Sequence, residues 1–254
     1  MSLLLHRAGL TKGAPYAPAS MVFNGSDEVL TRKNATSSPT ASTAKFTFSV
    51  WMSTVNAGGV FLTSYSDDFF DATQILFTSG GQFVARVFVD NVAGIQEFAD
   101  TGTVIVDGTW HHYLCRYDNT QASAPDRIRF YVDGVFQANF LTDTGSEPSL
   151  GEAHSMFADG FGLDLGNLSV GSFAEKTLAF VDILDGVSEP PESFAFDNGG
   201  TWTRKPYVGS YGKYGFKLDG TDTFNDASGN HQNFTGTNMD ASNLDTGDLP
   251  PYIN

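Results

Sequence analysis

Hydrophobic and polar positions alternate along most of this chain, and no long stretch repeats apolar residues at the i, i+3, i+4, i+7 spacing of an amphipathic helix. Residues 45–52 read K-F-T-F-S-V-W-M, which puts Phe46, Phe48, Val50 and Met52 on one side of an extended segment and Thr47, Ser49 and Trp51 on the other. The pattern predicts a strand with one face in a core. Residues 74–77 and 82–89 flank Thr78-Ser79-Gly80-Gly81, where two glycines supply the positive φ of a tight turn, so a hairpin is expected. A second hairpin is expected where residues 128–132, I-R-F-Y-V, meet Asp133-Gly134 and then Val135-Phe136, because Asp-Gly suits both central positions of a type I′ turn. Residues 110–117 and 177–184 add β-rich segments next to the Asp107-Gly108 and Asp185-Gly186 pairs. Residues 146–168, rich in Gly and Asp, read as a long loop region or weak strands. Many short strands punctuated by turns predict a sandwich or a barrel.

The ends read differently. Residues 14–20, A-P-Y-A-P-A-S, look like a linker, which makes 1–20 an N-terminal arm. The sandwich is expected over 21–190. Residues 191–254 form a Gly-, Asn- and Asp-rich segment expected to hold few core residues and to pack on the sandwich or on a neighbour.

Composition narrows the function classes. With 41% hydrophobic residues, 22 Phe, 9 Tyr and 3 Trp among 254, there is ample material for a core. Fourteen basic against 29 acidic residues leave a net charge of −15, which repels phosphate backbones and anionic lipid; neither nucleic acid nor membrane is an expected partner. Cys115 is the only cysteine, so stability has to come from packing without an intrachain disulfide. The apolar run Leu3-Leu4-Leu5 is too short for a signal peptide, and the chain is expected to be made in a cytoplasm without export.

Several segments resemble a known family, in order. Phe23-Asn24-Gly25-Ser26-Asp27-Glu28-Val29 resembles the opening strand of laminin G-like and concanavalin A-like domains, and residues 46–52 resemble their F-T-I-S-A-W-V strand. Asp107-Gly108-Thr109-Trp110-His111-His112 is similar to the family's D-G-T-W-H-H segment, residues 129–134 to its L-Y-V-D-G hairpin, and residues 179–184 to its late I-D-E-V strand. The resemblance implies an all-β fold, an antiparallel jelly-roll sandwich with an irregular N-terminal arm and C-terminal tail. Residues 214–218 and 225–234 further resemble a segment that follows such sandwiches in tailed-phage virion proteins. That likeness implies a non-enzymatic virion subunit, made in the host cytoplasm and contacting major capsid or tail proteins. Its expected role is capsid decoration or that of another surface subunit, its expected state a homo-oligomer such as a trimer. The alternative is a carbohydrate-binding receptor module of a tail fibre or tailspike, with a host surface glycan as partner.

Candidate chemistry is sparse. Glucanases of this fold need carboxylates alternating along one strand, E-x-D-x-E, and no such triplet occurs; Asp182 and Asp185 are spaced to leave a strand on opposite faces. No catalytic residue is expected. His111 and His112 are neighbours on a strand and so cannot share one ion; packing and hydrogen bonding are their expected roles. Asp67, Asp68 and Asp71 gather hard oxygens in one turn that suit calcium, with a solvated acidic loop as the competing reading. Asp159 with Asp164, and Asp219 with Asp222, repeat the idea with fewer groups. For a glycan, the candidate aromatic platforms are Tyr65, Phe69, Phe70 and Trp202.

Overall fold

The computed structural model describes residues 18–33, 44–65, 72–78, 80–88, 96–137, 150–151, 154, 156–158, 160–166 and 175–252. The strands within them run in chain order as β1 (Ser20–Asn24), β2 (Val29–Lys33), β3 (Lys45–Ser53), β4 (Gly59–Tyr65), β5 (Ala72–Phe77), β6 (Gln82–Phe88), β7 (Gln96–Thr103), β8 (His111–Asp118) and β9 (Ile128–Val132). They continue as β10 (Val135–Phe136), β11 (Gly162–Leu165), β12 (Glu175–Asp185), β13 (Ala195–Asp197), β14 (Trp202–Arg204), β15 (Phe216–Leu218), β16 (Thr235–Thr237) and β17 (Leu244–Asp245). Two antiparallel sheets form the jelly-roll sandwich that the alternation and the family likeness imply. The first has the order β10-β9-β8-β3-β12-β1-β17, with β15 also paired to β12; the second has the order β16-β2-β11-β4-β5-β6-β7.

Aromatic rings close the space between the sheets. Phe48 meets Phe61 at 5.0 Å, Tyr113 meets Phe77 at 5.1 Å and Phe130 meets Phe83 at 5.1 Å, all near edge-to-face. This geometry sets the positive ring edge against the negative face of its neighbour. Both hairpins form where the glycines predict them. In the β9–β10 turn Asp133 has φ 48° and Gly134 φ 77°, the two positive values of a type I′ turn. Within the stretch read as loop or weak strands, Gly162–Leu165 is a wholly buried strand that pairs with β2 on one side and β4 on the other.

Two expectations need correction. The segment at 45–52 is buried on both faces, not one: Thr47, Ser49 and Trp51 are as inaccessible as Phe46 and Phe48. For Thr47 and Ser49 the hydroxyls make this tolerable, since Thr47 Oγ1 donates to the Val187 carbonyl at 2.8 Å and Ser49 Oγ lies 2.9 Å from His112 Nε2. What covers this outer face is the region after 190. The β13–β14 ribbon and the chain near Leu249 and Tyr252 pack on Trp51, Ala179 and Phe180, making a third layer.

That region is also far richer in core residues than its composition suggests. Tyr214, Phe216, Leu218, Phe224, Phe234 and Met239 all join the cluster between the two main sheets. Arg32 of β2 is buried against them, with its guanidinium 5.0 Å from the Phe216 ring and 5.6 Å from Phe234, donating to the Tyr214 carbonyl at 2.8 Å and to Gln232. Burial lowers its pKa to about 10.

If the C-terminal region is part of the core, Phe216→Ala will cost about 3–5 kcal/mol in urea unfolding, as much as Phe83→Ala. A Phe216→Ala protein that unfolds at the wild-type midpoint would reduce the region to an appendage.

Candidate functional site

At one end of the sandwich, the start of β8, the β9–β10 turn and the β13–β14 turn converge on an open cleft of about 580 Å³, lined by Trp110, His111, Asp133, Gly134, Asp197 and Trp202 among others. The floor is set by a stack of rings. His112, fully buried, lies 5.2 Å from Trp51 at an interplanar angle of 25° and 6.3 Å from Trp202 at 26°. Trp202 Nε1 donates to His112 Nδ1 at 3.1 Å. An indole N–H can only donate, so Nδ1 is the acceptor and the proton sits on Nε2, which donates to Ser49 Oγ. Burial lowers the His112 pKa to about 4, keeping the ring neutral.

Asp133 links the turn to both histidines. Its Oδ2 is 2.6 Å from His111 Nδ1, and its Oδ1 accepts the His112 backbone N–H at 2.8 Å. The other ring nitrogen of His111 faces Thr109 Oγ1 at 3.0 Å and Asp107 Oδ1 at 3.4 Å. The hydrogen bond to Asp133 raises the His111 pKa above its ordinary value, with Asp107 adding to the effect against partial burial. The histidines thus do different jobs, one a neutral packed ring and the other a half-buried group beside two carboxylates.

Glycine is required at 134. A Cβ there would come within 2.6 Å of Trp202 Cη2, and the φ of +77° is one that side chains rarely adopt. Trp202 is therefore held between His112 and the turn. Trp110 Nε1 donates to Asp248 Oδ1 at 2.7 Å, and Asp197 Oδ1 accepts the Gly200 N–H at 2.6 Å, fixing the opposite rim.

The residues singled out by sequence fall in several places. Trp202 lines the cleft. Tyr65 ends β4 in the other main sheet, with its ring against Gly162 and its hydroxyl 3.4 Å from Asp164 Oδ1, so the two do not form one platform. Phe69, Phe70, Asp67, Asp68, Asp71 and Asp159 lie outside the described residues. Asp164 is buried, which raises its pKa, while Asp219 pairs with Lys217 Nζ at 2.6 Å and accepts from Thr221. Among the described residues no three His, Cys, Asp or Glu side chains gather to hold a metal ion. Asp182 and Asp185 leave β12 on opposite faces: Asp182 accepts from the Tyr211 hydroxyl at 2.5 Å, and Asp185 accepts from the Tyr214 N–H. The contribution of Trp110, His111, Asp133 and Asp197 was not anticipated as a site. The Asp-Gly pair explains a turn so well that a second use of its carboxylate leaves no separate trace.

The histidines predict a pH profile. The unfolded chain protonates His112 near 6.5 and the fold resists protonation down to about 4, so between those values the unfolded state binds more protons and stability falls on acidification. The loss is on the order of 3 kcal/mol for His112, and His154, also buried and lowered to about 4, follows the same sign. His111 runs the other way: its raised pKa stabilises the fold below 6.5, a contribution lost as pH rises through the folded value. In an NMR titration the His112 ring signals should stay fixed from about pH 7 to about pH 5 while those of His111 move above 6.5; a His112 that titrates near 6.5 would contradict the buried stack.

A family model described as Laminin_G_3, concanavalin A-like lectin/glucanases superfamily, matches residues 24–163. No curated protein matches the chain. Among solved structures, a native heptameric SAP-like pentraxin from Limulus polyphemus aligns at 12% identity and TM-score 0.44 over 66% of this chain and 76% of that one. Domains LG4-5 of the mouse laminin alpha1 chain align at 15% and 0.47, covering 81% of this chain and about half, 52%, of theirs. The CBM40 of a Ruminococcus gnavus IT-sialidase, bound to alpha2,6 sialyllactose, aligns at 11% and 0.40 over 65% and 92%. The match to the family model spans more than half of the sequence and runs from β1 to β11. The chain belongs to the Laminin_G_3 family of the concanavalin A-like lectin/glucanases superfamily.

Proposed function

We propose that the protein is a non-enzymatic carbohydrate-binding module whose working surface is the cleft between Trp110 and Trp202. The observation that carries this reading is the pairing of two partly exposed indoles with the half-buried Asp133 and the exposed Asp197 in one open recess. Sugar rings offer an apolar C–H face to stack on an aromatic and hydroxyls to donate to carboxylates, so such a recess suits them. Each cleft side chain is held by the fold: Trp202 by His112 and Gly134, Trp110 by Asp248, His111 by Asp133. Preorganisation of this kind lowers the entropy lost on binding.

The setting proposed for this module is the surface of a tailed-phage virion, beside major capsid or tail proteins and self-associated, with a trimer as the expected form. Support comes from the phage-like C-terminal segment, whose Asp226 accepts the N–H groups of Lys217, Ser228 and Gln232 and so shapes the loop that delivers Phe234 to the core.

On a glycan array the wild-type protein should bind a defined subset of sugars, and Trp110→Ala should weaken that binding by about 2 kcal/mol, roughly thirtyfold. Silence across the array would remove the lectin reading. Because among the described residues no three His, Cys, Asp or Glu side chains gather to hold a metal ion, a calcium chelator should leave this binding unchanged; loss of binding on chelation would move the site to the Asp67, Asp68 and Asp71 loop. For the virion role, deleting residues 1–17, which stops short of the buried Ala19 and of β1, should abolish incorporation into particles while leaving the sandwich folded, and normal incorporation would exclude anchoring by that arm.

A further inference from the structure

The cleft is lined by carboxylates as well as aromatic surface, and the one base among its lining residues, His111, is matched by two of them. Asp133 and Asp197 line it, Asp248 holds its Trp110 wall, and Asp107 stands behind His111. Among the described residues no lysine or arginine lines it. His111 has both ring nitrogens turned to Asp133 and to Thr109 with Asp107, so it has no free N–H to offer an anion. Val135, 64% exposed, completes an apolar rim beside the two indoles.

From the aromatic walls and the surrounding carboxylates together, we propose that the cleft selects glycans bearing a free ammonium group, such as 2-amino-2-deoxy sugars, over neutral sugars and against carboxylate-bearing ones. This rests on the carbohydrate-binding reading above and specifies its ligand class. An ammonium beside an indole is attracted by the negative π-cloud it can reach, and the carboxylates add a Coulomb term of the same sign. A sialic acid carboxylate meets Asp133 and Asp197 there, with no lysine or arginine among the lining residues to receive it. The net charge of −15 extends the preference beyond the cleft, because the protein's field concentrates cations and repels anions at its mouth.

The test is calorimetric titration of the full-length protein at about pH 7 and low salt with three probes: a glucosamine tetramer, its N-acetylated counterpart and sialyllactose. The glucosamine tetramer should bind at least about tenfold more tightly than the acetylated one, with sialyllactose weakest. Asp197→Asn keeps the acceptor for the Gly200 N–H but removes a charge, and should shrink the margin between the first two probes. Equal or tighter binding of the acetylated tetramer, or tightest binding of sialyllactose, overturns the charge selectivity while leaving a carbohydrate site standing. A margin that Asp197→Asn leaves untouched moves the ammonium away from the cleft and overturns it too. If none of the three probes, nor any sugar on the array, binds, the carbohydrate reading itself falls and this inference with it.

Discussion

The structure depends on a sheet that is apolar on both faces. In β3 and β12 nearly every residue is buried, with Phe48 and Ile183 turned toward the second sheet and Trp51, Ala179 and Leu184 turned away from it. A two-layer sandwich leaves one face of each sheet in water. Here the outer face of the first sheet would expose a large apolar patch unless something covered it. The chain after 190 does so in two places: around Trp51 and Phe180 with Trp202, Leu249 and Tyr252, and around Leu114, Tyr131 and Leu184 with Phe194, Tyr207 and Tyr211. The covering layer is what brings Trp202 over His112, so the cleft is a by-product of satisfying the fold.

Polar groups buried between these layers fix how the layers register. His112 accepts from Trp202 of the outer layer, meets Ser49 of its own sheet and gives its backbone N–H to the β9–β10 turn, tying three elements with one residue. Asp182, buried on the same outer face, takes the hydroxyl of Tyr211, and burial raises its pKa. Arg32 performs the matching task between the main sheets by joining β2 to the Tyr214 carbonyl and Gln232. Apolar contacts are indifferent to sliding by a few tenths of an ångström; directional bonds that would leave a buried group unpaired are not.

Much of the sandwich was legible because its signals are local. Alternation and Gly-Gly or Asp-Gly turns mark β3, β5–β6 and β9–β10 without reference to the rest of the chain. Three things escaped because their cause lies elsewhere in the fold. Thr47 and Ser49 read as solvent-facing, and only the Val187 carbonyl and the His112 ring show why they are buried. The strand Gly162–Leu165 is only four residues long and owes its existence to β2 and β4 on either side. The C-terminal core residues are spaced by turns, so no periodicity links Phe216, Phe224 and Phe234, although all reach one cluster. Of the site, Trp202 was foreseen as an aromatic, whereas Asp133 was hidden by its turn and Trp110 by its place in a packing segment.

Strain in β12 connects the cover to the cleft. The strand pairs with β1 through Leu178 and with β15 from Val181, and between them the register to β3 shifts at Ala179 to Asp182. Phe180, inside that shift, takes φ +49°, a conformation that costs a bulky side chain on the order of 1–3 kcal/mol. The bulge turns the Phe180 ring outward, where the Arg204 guanidinium lies 4.0 Å from its centroid and Tyr252 packs at 5.7 Å. Arg204 in turn donates its backbone N–H to the Pro251 carbonyl at 2.8 Å, and Pro251 is part of the cleft wall. An unstrained Phe180 would follow the pleat and withdraw its ring from Arg204 and Tyr252, removing one of the contacts that hold the last residues of the described chain. The bulge is therefore held by the contacts it makes possible, and the same contacts hold one wall of the cleft in place.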